Sequence, residues 1–131
     1  MTVAAKRAYE APLPGDGRRY LIDRLWPRGV RKEKLLLTDW LKELGPSDEL
    51  RTWFGHVPAK YRVFRQRYRR ELTKQTALLT RLTQEARADM VTLVFSARDV
   101  DHCNATVLKE LLEERIQKDG PARSKTLLDR E

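Results

Sequence analysis

Two short stretches of this chain collect the residues that can do chemistry. The first is Tyr20 to Val30, YLIDRLWPRGV, in which Asp23, Arg24, Trp26 and Arg28 follow three strand-forming residues. The second is Val91 to Phe95, followed by Ser96, Arg98, Asp99, His102 and Asn104. A guanidinium is always charged and offers a planar fork to a carboxylate or phosphate. Arg24, Arg28 and Arg98 around one crevice would therefore make an anion site. The same three can instead pair with Asp23 and Asp99 and fix their loops; the two roles are compatible, because an ion pair often orients an arginine. His102 can move a proton near neutral pH, or simply bond a carbonyl or Asp99. His56, after Trp53-Phe54-Gly55, either reaches the same pocket or faces a helix C-terminus. Trp26 either stacks on a ligand ring or packs in the core, and Trp40 is assigned to the core.

These groups are useful only if the elements bearing them converge. Val91 to Phe95 is an unbroken apolar run, the pattern of a strand covered on both faces in a parallel sheet. Val3 to Tyr9 reads as a modest strand and Arg18 to Leu25 as another, ended by Pro27 and Gly29. Glu10 to Gly17, with two prolines and two glycines, is a loop. It is short for a crossover helix, so the relative direction of the first two strands stays open. Ligands in open α/β sheets sit beyond the strand C-terminal ends, where both charged clusters would lie.

The helical segments follow from caps and periodicity. Arg31 to Leu37 reads as an irregular turn. Thr38 is expected to cap a short helix through Leu44, stopped by Gly45-Pro46, and Ser47 to cap the next one, ended by Gly55. Pro58 opens a helix in which Tyr61, Phe64, Tyr68 and Leu72 form one stripe. Thr73 to Ala86 continues as helix, with Leu78, Leu79 and Leu82 inward. Asp99 or Asp101 is a natural cap for a closing helix marked by Val107, Leu108, Leu111, Leu112 and Ile116, which would place His102 in its first turn and end near Gly120-Pro121. The expectation is a small α/β domain over 1–121, with a mostly parallel sheet of about three strands and five to six helices, and a flexible tail over 122–131.

Composition narrows the function classes. The chain has 131 residues, 40% of them apolar, enough for one core, and a net charge of +8. That charge favours an anionic partner, although a basic surface without a polyanion partner is an equal reading. One cysteine, Cys103, excludes an internal disulfide and fits a reducing cytoplasm. No apolar run has the length of a membrane span. Beside a helix start the Cys103 thiol could be activated, but a small buried thiol is the better reading. The spacing of the histidines and the cysteine matches no metal motif, and neither a Walker motif nor a dinucleotide fingerprint is present. The helix from Lys60 to Lys74 carries seven basic residues against Glu71. It could follow a phosphate backbone, but its aromatics form the inward stripe, and a solvated basic face is the plainer reading.

The motifs DRLWPRGV, DWLKEL, WFGH, RYR and VTLVFSARD, in this order and followed by His102 and Asn104, resemble the YeaO-like branch of family 488 of the domains of unknown function. The likeness covers nearly all of 6–112. It implies a small cytoplasmic α/β domain and gives weight to Asp23, Arg24, Trp26, Pro27, Arg28 and Gly29, to Trp53, Phe54 and His56, to Arg67, Tyr68 and Arg69, and to Arg98, Asp99, His102 and Asn104. Cys103 departs from the pattern of the relatives, a further argument against a cysteine nucleophile.

Together these readings predict a pocket for a phosphate- or nucleotide-type anion at the strand ends. Asp23, Arg24, Trp26, Arg28, Arg98 and Asn104 would bind the ligand. If a hydrolytic or group-transfer reaction occurs, His102, Asp99 and His56 would carry it, with no metal and no organic cofactor. The alternative is a basic nucleic-acid or protein-interaction module without catalysis.

Overall fold

The computed structural model describes residues 2–118. Four strands, β1 (Val3–Arg7), β2 (Arg18–Leu21), β3 (Asp39–Trp40) and β4 (Val91–Phe95), form one sheet in the order β1-β4-β2-β3. Every pairing is parallel, with Val3 beside Val91, Arg18 beside Val91 and Tyr20 beside Asp39. The direction of the first two strands is thereby settled: they never touch, because β4 lies between them. The α-helices are α1 (Lys32–Leu35), α2 (Asp48–Phe54), α3 (Tyr61–Leu72), α4 (Thr76–Ala88) and α5 (Asn104–Lys118).

Alternation along the strands divides the sheet into two unequal faces. Tyr20, Ile22, Val91, Leu93 and Phe95 enter the main core with Leu50 and Phe54 of α2, Phe64, Tyr68 and Leu72 of α3, and the inward residues of α4 and α5. Leu21 and Val94 face the other way, into a small cluster with Ala8 and Leu35, flanked by Trp26, Val30, Leu37 and Trp40. All five residues of β4 are buried, as expected for a central parallel strand. The stripe on α3 is inward at Phe64, Tyr68 and Leu72.

One expected element is different. Thr38 does not cap a helix. Its hydroxyl accepts from the Arg19 N–H at 3.0 Å and its own N–H donates to the Arg19 carbonyl at 2.7 Å. Thr38 thus extends the edge of β2, and the next two residues pair as β3. A β-branched residue with a hydroxyl serves a strand edge as readily as a cap, and packing against β2 decided between them. Only Lys42–Leu44 coils, as a single 3₁₀ turn. Arg31 to Leu37, expected as an irregular turn, contains α1. The second strand also ends at Leu21 rather than Leu25, which leaves Asp23, Arg24 and Leu25 in the loop beyond it. Ser47 does cap α2, its Oγ accepting from the Leu50 N–H, and Gly55 closes that helix in the left-handed region. The expected stop at Gly120-Pro121 and the expected tail lie outside the described residues.

Candidate functional site

With all strands parallel, the loops after β1, β2 and β4 emerge on one edge of the sheet. Asp23 joins two of them to a helix. One carboxylate oxygen accepts from the Ser96 N–H at 3.0 Å and from the Ser96 hydroxyl at 2.8 Å; the other accepts from the Asn104 side-chain amide at 2.9 Å. Asn104, 7% exposed, also donates to the Ile22 carbonyl at 3.2 Å. The end of β2, the end of β4 and the first residue of α5 are therefore tied through one carboxylate. Arg7, at the end of β1, donates to the carbonyls of Ser96 and Ala97, at 3.1 and 2.9 Å. The Trp40 indole donates to the Asp23 carbonyl at 2.7 Å.

Beside this framework is a hollow of about 520 Å³, a size usual for a small-molecule site. Arg24, Arg51, His56 and Arg98 line it, with Asp23 and Asp99. Phe54, Phe64, Cys103, Pro46 and Ala97 supply its apolar lining. Phe54 and Phe64 are stacked there, with ring centroids 4.3 Å apart.

Arg24 is aimed by the chain opposite. Its Nε donates to the Gly45 carbonyl at 3.1 Å. A Cβ on Gly45 would lie 2.8 Å from both the Arg24 Cγ and its backbone nitrogen, so glycine is the residue that permits this approach. The terminal nitrogens of Arg24 have no acceptor among the described residues, and the exposed Arg98 guanidinium has none either.

Sequence reasoning thus named six residues that line one hollow: Asp23, Arg24, His56, Arg98, Asp99 and, through its amide, Asn104. Three others lie elsewhere. Trp26 packs edge-on against Trp40 with centroids 5.4 Å apart, and its indole donates to the Val30 carbonyl at 2.6 Å. Because the loop turns back across the small face of the sheet, Trp26 lines a second hollow beside β3 instead. Arg28 is exposed on that loop, and its carbonyl accepts from the Tyr9 hydroxyl at 3.1 Å. His102 is not among the lining residues. Its Nδ1 is 2.9 Å from Asp99 and its ring meets Tyr61 edge-on.

The turn around His102 also differs from expectation. α5 starts at Asn104, so neither Asp99 nor Asp101 caps it and His102 precedes its first turn. Asp99 Oδ1 accepts from the N–H groups of Asp101 and His102 and closes the loop on itself. Desolvation, the largest single influence, raises the Asp99 carboxyl, but the His102 ring and these two N–H groups together outweigh it and hold it below the usual carboxylate value. Tyr61, whose hydroxyl donates to the Cys103 carbonyl at 3.2 Å, is pushed up to about 12, by burial first and by the nearby Cys103 and Glu110 next. Cys103 is 2% exposed, with Thr106 Oγ1 at 3.5 Å from its sulfur.

The model of the DUF488-N3i family, described as an inactive DUF488-N3 subclade, matches residues 2–127. The chain belongs to this family. An uncharacterized protein of Mycobacterium tuberculosis, Rv3073c, is 40% identical over 113 residues, covering 86% of this chain and 95% of the relative. The uncharacterized protein YeaO of Escherichia coli is 39% identical over 112 residues, covering 86% and 97%. No solved structure matches the chain.

In this DUF488-N3i member the sequence reading passed over Arg51 and took Phe64 only as part of the inward stripe, while Phe54 carried weight through the WFGH motif. A signal for Arg51 existed. It stands one turn before Phe54 in a helix ended by Gly55, so its side chain shares the edge that carries the WFGH motif. Among the described residues no cluster of three His, Cys, Asp or Glu side chains could hold a metal ion, and no helix is long and apolar enough to cross a membrane.

Proposed function

We propose that the hollow at the strand ends binds an anionic ligand, and that it is a binding site rather than a centre of turnover. One observation carries this reading: Arg24 and Arg98, from two different strand ends, line the same hollow with their terminal donors unengaged by protein acceptors. A guanidinium left without a carboxylate partner above an apolar lining is suited to an incoming carboxylate or phosphate.

A hydrolytic or group-transfer role has less support. His102, the expected proton carrier, is held by Asp99 outside the lining. His56 lines the hollow, but among the described residues it has no carboxylate or carbonyl to orient its ring, only Phe54 at 5.9 Å. A base that works in catalysis is normally oriented by a third group. The description of the family as inactive agrees with a site that binds without reacting. The nucleic-acid reading also has less support. Arg65 and Arg69 of α3 pair with Glu110 and Glu114 of α5, and Arg67 of α3 and Lys60 just before it lie over the Trp53 ring.

A thermal-shift titration with inorganic phosphate against chloride at equal ionic strength tests this reading. A ligand at a hundred times its Kd stabilises by about 2.7 kcal/mol. We expect phosphate to raise the Tm and Arg98→Ala to abolish the rise. Equal shifts with both salts would refute the proposal.

A further inference from the structure

Resting on the anion-binding reading, we infer that the ligand is a phosphate monoester that also bears a flat ring, the chemical class of a nucleoside 5′-monophosphate, and that Arg51 supplies a third guanidinium to it. Two guanidinium forks with unengaged donors, on Arg24 and Arg98, reach this hollow from separate strand ends. A carboxylate has two oxygens and is satisfied by one fork; the three terminal oxygens of a phosphate monoester can serve both. The other half of the ligand follows from the lining. Phe54 and Phe64 are stacked at 22°, and the His56 ring lies beside Phe54. Phe54 and Phe64 are buried, so a flat ring would meet the edge of this apolar lining and the face of the exposed His56 ring, whereas a small inorganic ion would leave most of the 520 Å³ unused.

Arg51 has the features of an arm that changes partners. Among the described residues its only side-chain bond is to Asp48, at 3.1 Å, with side chains 41% and 77% exposed. A pair so exposed contributes little to stability and is easily exchanged. The Arg51 Nε is covered by protein and has no acceptor. Among the described residues, Arg51 is the one arginine lining the hollow that is held by a surface carboxylate, and its Nη2 could exchange Asp48 for a phosphate oxygen.

The test uses the full chain and three probes: adenosine 5′-monophosphate, adenosine and inorganic phosphate, by thermal shift and isothermal calorimetry. The expected order of affinity is the nucleotide first, phosphate at least tenfold weaker, and adenosine weakest. Arg51→Ala should weaken the nucleotide on the order of tenfold without changing the Tm of the free protein. Arg51→Lys, which keeps the charge without the fork, should recover only part of that loss. Phe54→Leu should weaken the nucleotide but not phosphate. If phosphate binds and neither adenosine, guanosine, cytidine nor uridine monophosphate binds more tightly, the ring assignment is overturned while the anion site stands. If Arg51→Ala and Arg51→Lys both bind like the parent chain, the third guanidinium is overturned. If no phosphate-bearing probe binds, the anion reading itself fails.

Discussion

Two aspartates in this molecule each tie distant stretches of chain together, one through cations and the other through neutral donors, and the contrast separates a structural cluster from the proposed binding one. On the small face of the sheet, Asp16 is paired with Arg19 at 2.7 Å and Lys6 at 3.1 Å, and accepts from the Leu13 N–H. Arg19, 4% exposed, sends its remaining bonds from Nε and Nη2 to the Leu35 carbonyl. Every cation there has a protein acceptor. At the strand ends, Asp23 is bonded only by neutral groups, Ser96 and Asn104, and the guanidinium groups of Arg24 and Arg98 find no carboxylate. On the proposed reading, the same residue types serve two purposes. The distinction lies in whether the donors of the arginines are engaged within the protein.

That contrast can be tested by substitution. Arg19→Ala should have the largest effect. Removing the buried guanidinium takes two donors from the Leu35 carbonyl and leaves Asp16 with Lys6 and the Leu13 N–H alone; it should cost about 3–5 kcal/mol, with phosphate affinity unchanged per folded molecule. Urea denaturation measures it, and a loss below about 1 kcal/mol would mean that this cluster is not structural. Asp23→Ala comes next, at about 2–3 kcal/mol, because three donors lose their acceptor. Here stability and phosphate binding should fall together, since the strand ends are no longer tied.

The pH dependence of the Asp16 cluster should be smaller. Burial raises the Asp16 pKa, but the Leu13 N–H, Lys6 and Arg19 together outweigh it and bring the carboxyl below its ordinary 3.8. A depressed folded-state pKa contributes stability that is present above 3.8 and lost as the pH falls through the lower folded value. Acid titration of the parent chain and of Asp16→Asn should show this loss in the parent only. Arg98→Ala should change stability by less than about 0.5 kcal/mol, yet remove the phosphate-induced shift. A large stability loss would transfer Arg98 to the structural class. Arg65→Ala, which breaks a half-exposed pair with Glu110, should cost only about 0.2–1 kcal/mol and leave phosphate binding intact.

The two clusters were unequally legible. The strand-end groups stand out because they directly follow strand-forming runs, and a parallel sheet sends such loops to one edge. Asp16 and Arg19 went unnoticed because Asp16 sits in a proline-glycine loop and Arg19 is an ordinary alternation position. Only the pairing of β2 with β4 buries them. Trp26 and Arg28 are close to Arg24 in sequence, which reads as a shared site, but the turn at Pro27 directs them to the other face. His102 is displaced for a local reason: Asp99 closes a turn on itself, so α5 begins two residues after the histidine.

The amino-acid sequence by itself determined the α/β class, the central buried strand, the caps of α2, the stripe of α3, and the loops from which charged groups emerge. These follow from local rules: apolar periodicity, capping side chains, and breaks at proline and glycine. Tertiary structure alone decided that Thr38 extends a sheet, that Gly45 lies against Arg24, and that Arg51 joins the hollow while Trp26 and His102 do not. The physical reason is that engagement of a donor depends on which acceptors come within about 3 Å, and those acceptors arrive from distant parts of the chain.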